Sequence, residues 1–322
     1  MPKFSFEPLI LSYFGSKIES MHYSLKFSLA FITSFLFVFC GNKETNKETV
    51  KLKNTTNSPS KHPKFNSYWY QGTAEITAYK LTQARYGELH EGIAVNIFVT
   101  EDFLPKKQVK AAYKDEKNTP VLKLNSTKKF TTGIYPYSLM TSTFSPINTN
   151  NQAIKISFSA QEWCGNTFVQ LNNKENFKID FHSYFESDAD RMFALKKAVL
   201  ENELWNQLRI SPDNLPTGNL EIIPSFEFLA LDHKEIKAYS AKASLITKGK
   251  YKVYALVYPA LKRTLKIKIR NEFPFVIESW EETVTKRGKK FKTKAEKIKT
   301  IQTAYWSKNG VTDVEERKAL GI

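Results

Sequence analysis

The residues best suited to chemistry are a thiol and a histidine. Cys164 sits in QEWCGN (161–166), and His182 lies on a strand-like run, FKIDFHSYF (177–185), close enough in sequence to fall on a neighbouring strand. A cysteine becomes a nucleophile when a histidine or other positive neighbour lowers its pKa, so Cys164 and His182 define a candidate hydrolase pair. Cys-Gly-Asn also makes an ordinary turn, and that reading stays open. Asp180 and His182 are two apart on one strand face and supply two metal ligands without a third, so no metal centre is expected. There is no GxxxxGK[ST] loop, Rossmann glycine fingerprint, HExxH or GxSxG in the chain, and no cofactor is implied.

The strongest charge feature is TKRGKKFKTK (285–294), where Lys286, Arg287, Lys289, Lys290 and Lys292 are opposed locally by Glu296 alone. A nucleic-acid surface would interleave aromatics for base stacking, and only Phe291 is available, which argues against that partner. A hairpin with Gly288 near its tip would set Glu278, Glu281 and Glu282 across from the basic return strand and neutralise part of it. The two remaining readings are a solvated hairpin and a contact with an anionic surface, lipid or polysaccharide. The net charge of +16 fits either, and it belongs to the folded part: Lys3, Lys17 and Lys26 against Glu7 and Glu19 leave residues 41–322 carrying +15.

A second cysteine carries an address. Phe27 to Phe39 runs FSLAFITSFLFVF without a charge, preceded by Lys26 and ended by Cys40. The run is too short to span a bilayer, which needs about twenty apolar residues, and has the length of a secretory signal core. Met21 offers a second start with MHYSLK as its basic lead. The segment resembles a bacterial lipoprotein signal, which implies that Cys40 is acylated and anchors the protein in a membrane. Phe39 and Phe37 stand where that pattern has a small residue and usually leucine, so an uncleaved anchor or an ordinary signal remain alternatives. Gly41-Asn42-Lys43-Glu44 is similar to the export signals of some Gram-negative surface lipoproteins. Residues 41–66 are poor in core-forming side chains and read as a polar tether with a mean reach of about 28 Å.

These groups need a frame, and from Tyr68 onward the frame is β. Alternation is clearest in LKIKIR, where Leu265, Ile267 and Ile269 face one way and Lys266, Lys268 and Arg270 the other. Similar runs occur at 74–81, 93–100, 153–160, 251–258, 273–284 and 295–306, separated by turn clusters, and predict antiparallel pairing. One long helix is predicted over 187–210, capped by Ser187 or Asp188, with Phe193, Leu200, Leu204 and Leu208 on one face and Ser211-Pro212 as its end. A short helix follows Thr312, closed by Gly321. YWYQG (68–72) and GIYPYS (133–138) are candidates to line an apolar cleft. The fold expected is β-dominated (α+β): a large curved antiparallel sheet or half-barrel packed around one long helix, in a single domain over 67–322, after a signal segment over 1–40.

YWYQGTAEITAYKLTQARYGELHEGIAVNIFVTEDFLP, QEWCGNTFVQLNN, ENELWNQLRISPDNLPTGNL and FVIESWEET resemble an uncharacterised family of bacterial envelope lipoproteins often labelled "septum formation inhibitor Maf". The resemblance implies an outer-membrane lipoprotein facing periplasm or cell surface, with no catalytic residues to carry over. The label itself would imply a nucleotide pyrophosphatase with an S-x-S-P-R-R loop. Ser58-Pro59-Ser60-Lys61 is the nearest string here and lacks the arginine pair. The expected function is a membrane-tethered, non-catalytic binding or scaffold protein of the cell envelope. The alternatives are a Cys164/His182 hydrolase and the pyrophosphatase of the label.

Overall fold

The computed structural model describes residues 62–148 and 152–322. Cys40, the Met21 start and the tether up to residue 61 lie outside the described residues. A short helix α1 (Phe65–Trp69) comes first, and the buried Phe65 and Trp69 that it contributes already belong to the core, although Phe65 reads as tether in the sequence.

The strands are β1 (Ala74–Arg85), β2 (Glu88–Leu104), β3 (Val109–Lys110), β4 (Thr119–Thr132), β5 (Tyr135–Pro146), β6 (Lys155–Glu162), β7 (Gly165–Asn173), β8 (Phe177–Ser183), β9 (Arg191–Leu195), β10 (Val199–Leu200), β11 (Gly218–Ile223), β12 (Tyr239–Lys248), β13 (Tyr251–Tyr258), β14 (Arg263–Arg270), β15 (Ile277–Lys286) and β16 (Lys289–Thr303). Helices α2 (Glu201–Ile210), α3 (Phe226–Leu231) and α4 (Glu315–Leu320) complete the described elements. All sixteen strands form one sheet. Its order runs β10 to β16 and then β1 to β9, with β3 attached to β2. Neighbours pair antiparallel except β10 with β11. The join is β1 against β16, from Ala74–Thr303 to Thr82–Lys294.

Period-two alternation drives this arrangement. In β14, Leu265, Ile267 and Ile269 are buried and Lys266 is exposed, as the sequence predicts. Most of the buried side chains form one core on the inner side of the sheet. A smaller outer cluster, Ala74, Ile76, Ala78 and Val99, is covered by Leu320 of α4, and Gly321 stops that helix with a left-handed φ of 79°.

The long helix over 187–210 is not found: Arg191–Leu195 is strand β9, and the helix starts only at Glu201. The 3.6-residue pattern of Phe193, Leu200, Leu204 and Leu208 is genuine on α2, but Phe193 falls on a segment that also alternates. There Met192 and Ala194 are exposed while Phe193 and Leu195 pack on the core. Pairing with Phe177–Phe181 gives β8 a partner for its backbone, and that tertiary gain outweighs the weak local helix preference. Asp188, a candidate cap for that helix, instead binds His233 (2.6 Å), and Asp190 contacts His182 (3.4 Å).

Candidate functional site

Helix α2 reaches strands far apart in the sheet order, so the sheet wraps around it. Glu201 pairs with Arg263 of β14, the Asn206 amide donates to the Leu122 carbonyl of β4 (2.7 Å), and Arg209 pairs with Glu75 of β1. Glu201 and Glu203 lie in its first turn, where the helix dipole favours acids, and Glu203 reaches back to the Leu200 N–H.

Both helix ends are held by fully buried ion pairs. Arg209 makes a bidentate contact to Glu75 (2.6 and 2.7 Å), lies over the rings of Phe98 and Trp69, and donates through Nε to the Pro274 carbonyl. Tyr68 donates its hydroxyl to the same carboxylate. Burial alone would raise the Glu75 pKa, but Arg209 and Tyr68 hold it below the ordinary carboxylate range. Arg263 grips Glu201 in the same way (2.6 and 2.7 Å) and also reaches Glu282, between the rings of Phe228 and Tyr258. Glu201, opposed by burial and favoured by Arg263, is likewise held low. Each pair satisfies the geometry a buried charge requires, and removing one partner of such a pair costs about 3–5 kcal/mol.

Glu203 differs. It is fully buried, accepts the Ala153 N–H (2.7 Å), and has no cation against it; burial pushes its pKa up to about 7.

Two polar cavities adjoin this machinery. One, of about 50 Å³, lies between α2, α3 and the sheet near Lys128, Thr143 and Trp280; the other, of about 60 Å³, opens beside Arg85 and Tyr86. They share Glu227, Glu282 and Thr293 in their walls and so adjoin each other. Thr143 Oγ1 in the first, and Gln83 Oε1 and Arg85 Nε in the second, have no hydrogen-bond partner among the described residues. Cavities of this size hold a few water molecules rather than a metabolite, since one water needs about 10–15 Å³.

The rim itself carries several exposed apolar side chains. Antiparallel order places the turns at 86–87, 133–134, 163–164, 259–262 and 287–288, with the 184–190 loop, on one edge of the wrapped sheet. Tyr86 (66% exposed), Ile134 (74%), Trp163 (66%) and Tyr184 (76%) project from four of these connections. The 287–288 turn is a two-residue hairpin with Arg287 at φ 49° and Gly288 at φ 76°, the type I′ geometry that glycine favours. Lys286 is engaged by Asp232 (2.7 Å) and Lys292 by Glu281 (3.2 Å), whereas Arg287, Lys289 and Lys290 are exposed and have no carboxylate partner among the described residues. Glu278 binds Lys297, but Glu282 turns inward to Arg263 rather than neutralising the hairpin.

The sequence candidates are distributed as follows. Cys164 is exposed at the β6–β7 turn, beside the Tyr135 hydroxyl, whose pKa its thiol raises. His182 stands on β8 opposite Phe168, four residues along β7 from Cys164, and contacts Asp190. The structure does not bring the two together. Asp180 and His182 share a face, and among the described residues no group of three acidic, histidine or cysteine side chains could hold a metal. YWYQG and GIYPYS lie at opposite rims and cannot line one cleft: Trp69 is core, while Tyr137 hydrogen-bonds Tyr86 (2.7 Å). The buried Glu75, Glu201, Arg209 and Arg263 were missed by sequence reasoning. Arg263 alone carries a strand signal, a charge on the same parity as the buried Leu265, Ile267 and Ile269; Glu75 lies where both faces of β1 are buried, and Glu201 and Arg209 are on α2.

No protein-family profile matches the sequence, and no curated protein matches it. Among solved structures, the chain is similar to a beta-barrel-like protein of the domain of unknown function DUF1849 from Brucella abortus, at 8% identity and a TM-score of 0.43, covering 71% of this chain and 97% of that one.

Proposed function

We propose that the protein is a membrane-tethered, non-catalytic binding or scaffold lipoprotein of the bacterial cell envelope, anchored through Cys40 and contacting an anionic surface through its turn rim. The observation that carries the binding half is the gathering of Arg287, Lys289 and Lys290, all without a carboxylate partner among the described residues, on the rim that also bears Tyr86, Ile134, Trp163 and Tyr184. Aromatic rings with one wet edge and unpaired lysines are the groups that meet phosphate or uronate layers at low entropic cost. The wrapped interior, occupied by α2, supports surface recognition over an internal pocket. His62 stacks on Phe273 at the rim opposite these turns. The anchoring half rests on the Cys40 signal and on the lipoprotein resemblance, with an outer-membrane location facing periplasm or cell surface.

Two measurements test this. Intact mass of the membrane-extracted protein is expected to show a chain beginning at Cys40 with lipid attached; an unmodified cysteine or a retained leader would overturn the anchor. Detergent-solubilised full chain is expected to bind immobilised heparin, weakly at high salt, and to leave an uncharged matrix unbound. Lys289→Glu with Lys290→Glu is expected to weaken binding about tenfold. Equal binding by that variant, or to the uncharged matrix, refutes the rim reading.

A further inference from the structure

Strand β9 ends the sheet. Phe177–Leu195 to Phe181–Arg191 pair it with β8 on one side, and among the described residues no strand pairs with the other. In an antiparallel strand, alternate residues aim their N–H and C=O groups away from the neighbour. Among the described residues no backbone hydrogen bond reaches residues 191–195 from outside the β8 ladder. Edge strands are ordinarily blunted by proline, a bulge or an inward charge, because an open edge accepts another chain. RMFAL has no proline, its register with β8 runs without a shift, and its inward side chains Phe193 and Leu195 are apolar. Met192 is 76% exposed and Ala194 is exposed, so the edge is open to solvent.

Cations stand at both ends of this edge. Arg191 begins the strand, Lys196 and Lys197 follow it, and Lys178 stands opposite Ala194 on β8; all four are exposed and, among the described residues, none has a carboxylate partner. Of the carboxylates nearby in the ladder, Asp190 is engaged by His182 and the Ser183 N–H, and Asp180 stands opposite Met192. A strand laid along β9 would therefore gain backbone hydrogen bonds from the edge and would place its carboxylates among cations at both ends of it.

We propose that β9 is the acceptor edge for an extended, acidic peptide of a partner protein, which joins the sheet as an added strand. The proposal deepens the reading of the molecule as a binding protein and depends on neither the lipid nor the basic hairpin. Hydrogen–deuterium exchange of the full chain in detergent micelles tests it, with the probe peptides Ac-(Glu-Val)4-NH2 and Ac-(Lys-Val)4-NH2. The acidic probe is expected to slow exchange across 191–195 at least about tenfold, and the basic probe to leave it unchanged. Lys196→Glu with Lys197→Glu, both on the surface, is expected to raise the Kd of the acidic probe about tenfold. Unchanged exchange with the acidic probe, or equal protection by the basic one, refutes the proposal. Protection that rises with protein concentration in the absence of peptide would show that a second copy covers the edge, and also refutes it. The Lys289→Glu, Lys290→Glu protein should bind the acidic probe normally, so failure of rim binding and failure of strand addition are read separately.

Discussion

Replacing Glu203 by glutamine should change the sign of its stability effect between acid and alkaline pH. Glu203 is fully buried beside the Ala153 N–H with no cation against it, and its pKa is pushed up from 4.5 to about 7. The folded protein therefore holds a proton that the unfolded chain has already released between pH 4.5 and 7, so stability falls as pH rises through that window and levels off above it. At 1.36 kcal/mol per pH decade the loss is about 3 kcal/mol. Glutamine removes that loss, but its amide nitrogen faces the Leu200 N–H where the carboxylate accepts (3.5 Å), and a buried donor without an acceptor costs about 1–3 kcal/mol. Glu203→Gln is thus expected to be destabilising by about 1–2 kcal/mol near pH 4.5 and stabilising by about 1–2 kcal/mol near pH 8. Urea titrations of both proteins across this range give the difference, in which the pH dependence of every other group largely cancels. A mutational difference that stays constant from pH 4.5 to 8 would refute the assignment of an unpaired buried carboxylate.

The other buried carboxylates should behave oppositely. Arg209→Met is expected to cost about 3–5 kcal/mol by leaving Glu75 buried and unpaired, and adding Glu75→Met should recover most of it in denaturant titrations. Gly92→Ala should cost about 1–3 kcal/mol, because its Cβ would meet the Lys129 carbonyl at 2.4 Å and the Phe130 Cβ at 2.7 Å; an unchanged urea midpoint would contradict that contact. Leu320→Ala should lose about 2 kcal/mol and raise binding of a hydrophobic dye, since Leu320 covers Ala74, Ile76 and Ala78 on the outer face.

Much of the sheet was legible because a strand writes its two faces into adjacent residues. LKIKIR and the 287–288 hairpin needed nothing beyond local pattern and turn chemistry. The helix over 187–210 was misread at its first half because Phe193 satisfies both periods, and only the neighbouring β8 decides between them. The interior ion pairs were hidden for a different reason. Glu75 and Arg209 are 134 residues apart and Glu201 and Arg263 are 62 apart, so no local window contains either pair. Reading parity strictly would have flagged Arg263 as a charge pointing inward, though not whom it meets, whereas Glu75 alternates with Ala74, Ile76 and Ala78 and reads as outward. His182 fell on β8, next to the β7 strand that follows Cys164, but Cys164 itself sits in the β6–β7 turn and register sets the two apart along the strand direction.

The pairing of β1 with β16 also governs when the molecule can be finished. Thr77 and Thr300 share a hydrogen bond (2.9 Å) across 223 residues of chain, and every rung of that ladder is as distant. A polypeptide made from its amino end can build the β1–β9 meander early, yet one border of β1 stays open until β16 has been synthesised. Contacts of such span are slow to form, and unsealed borders attract other chains. The last long strand therefore closes a border that has stood open for almost the whole of synthesis.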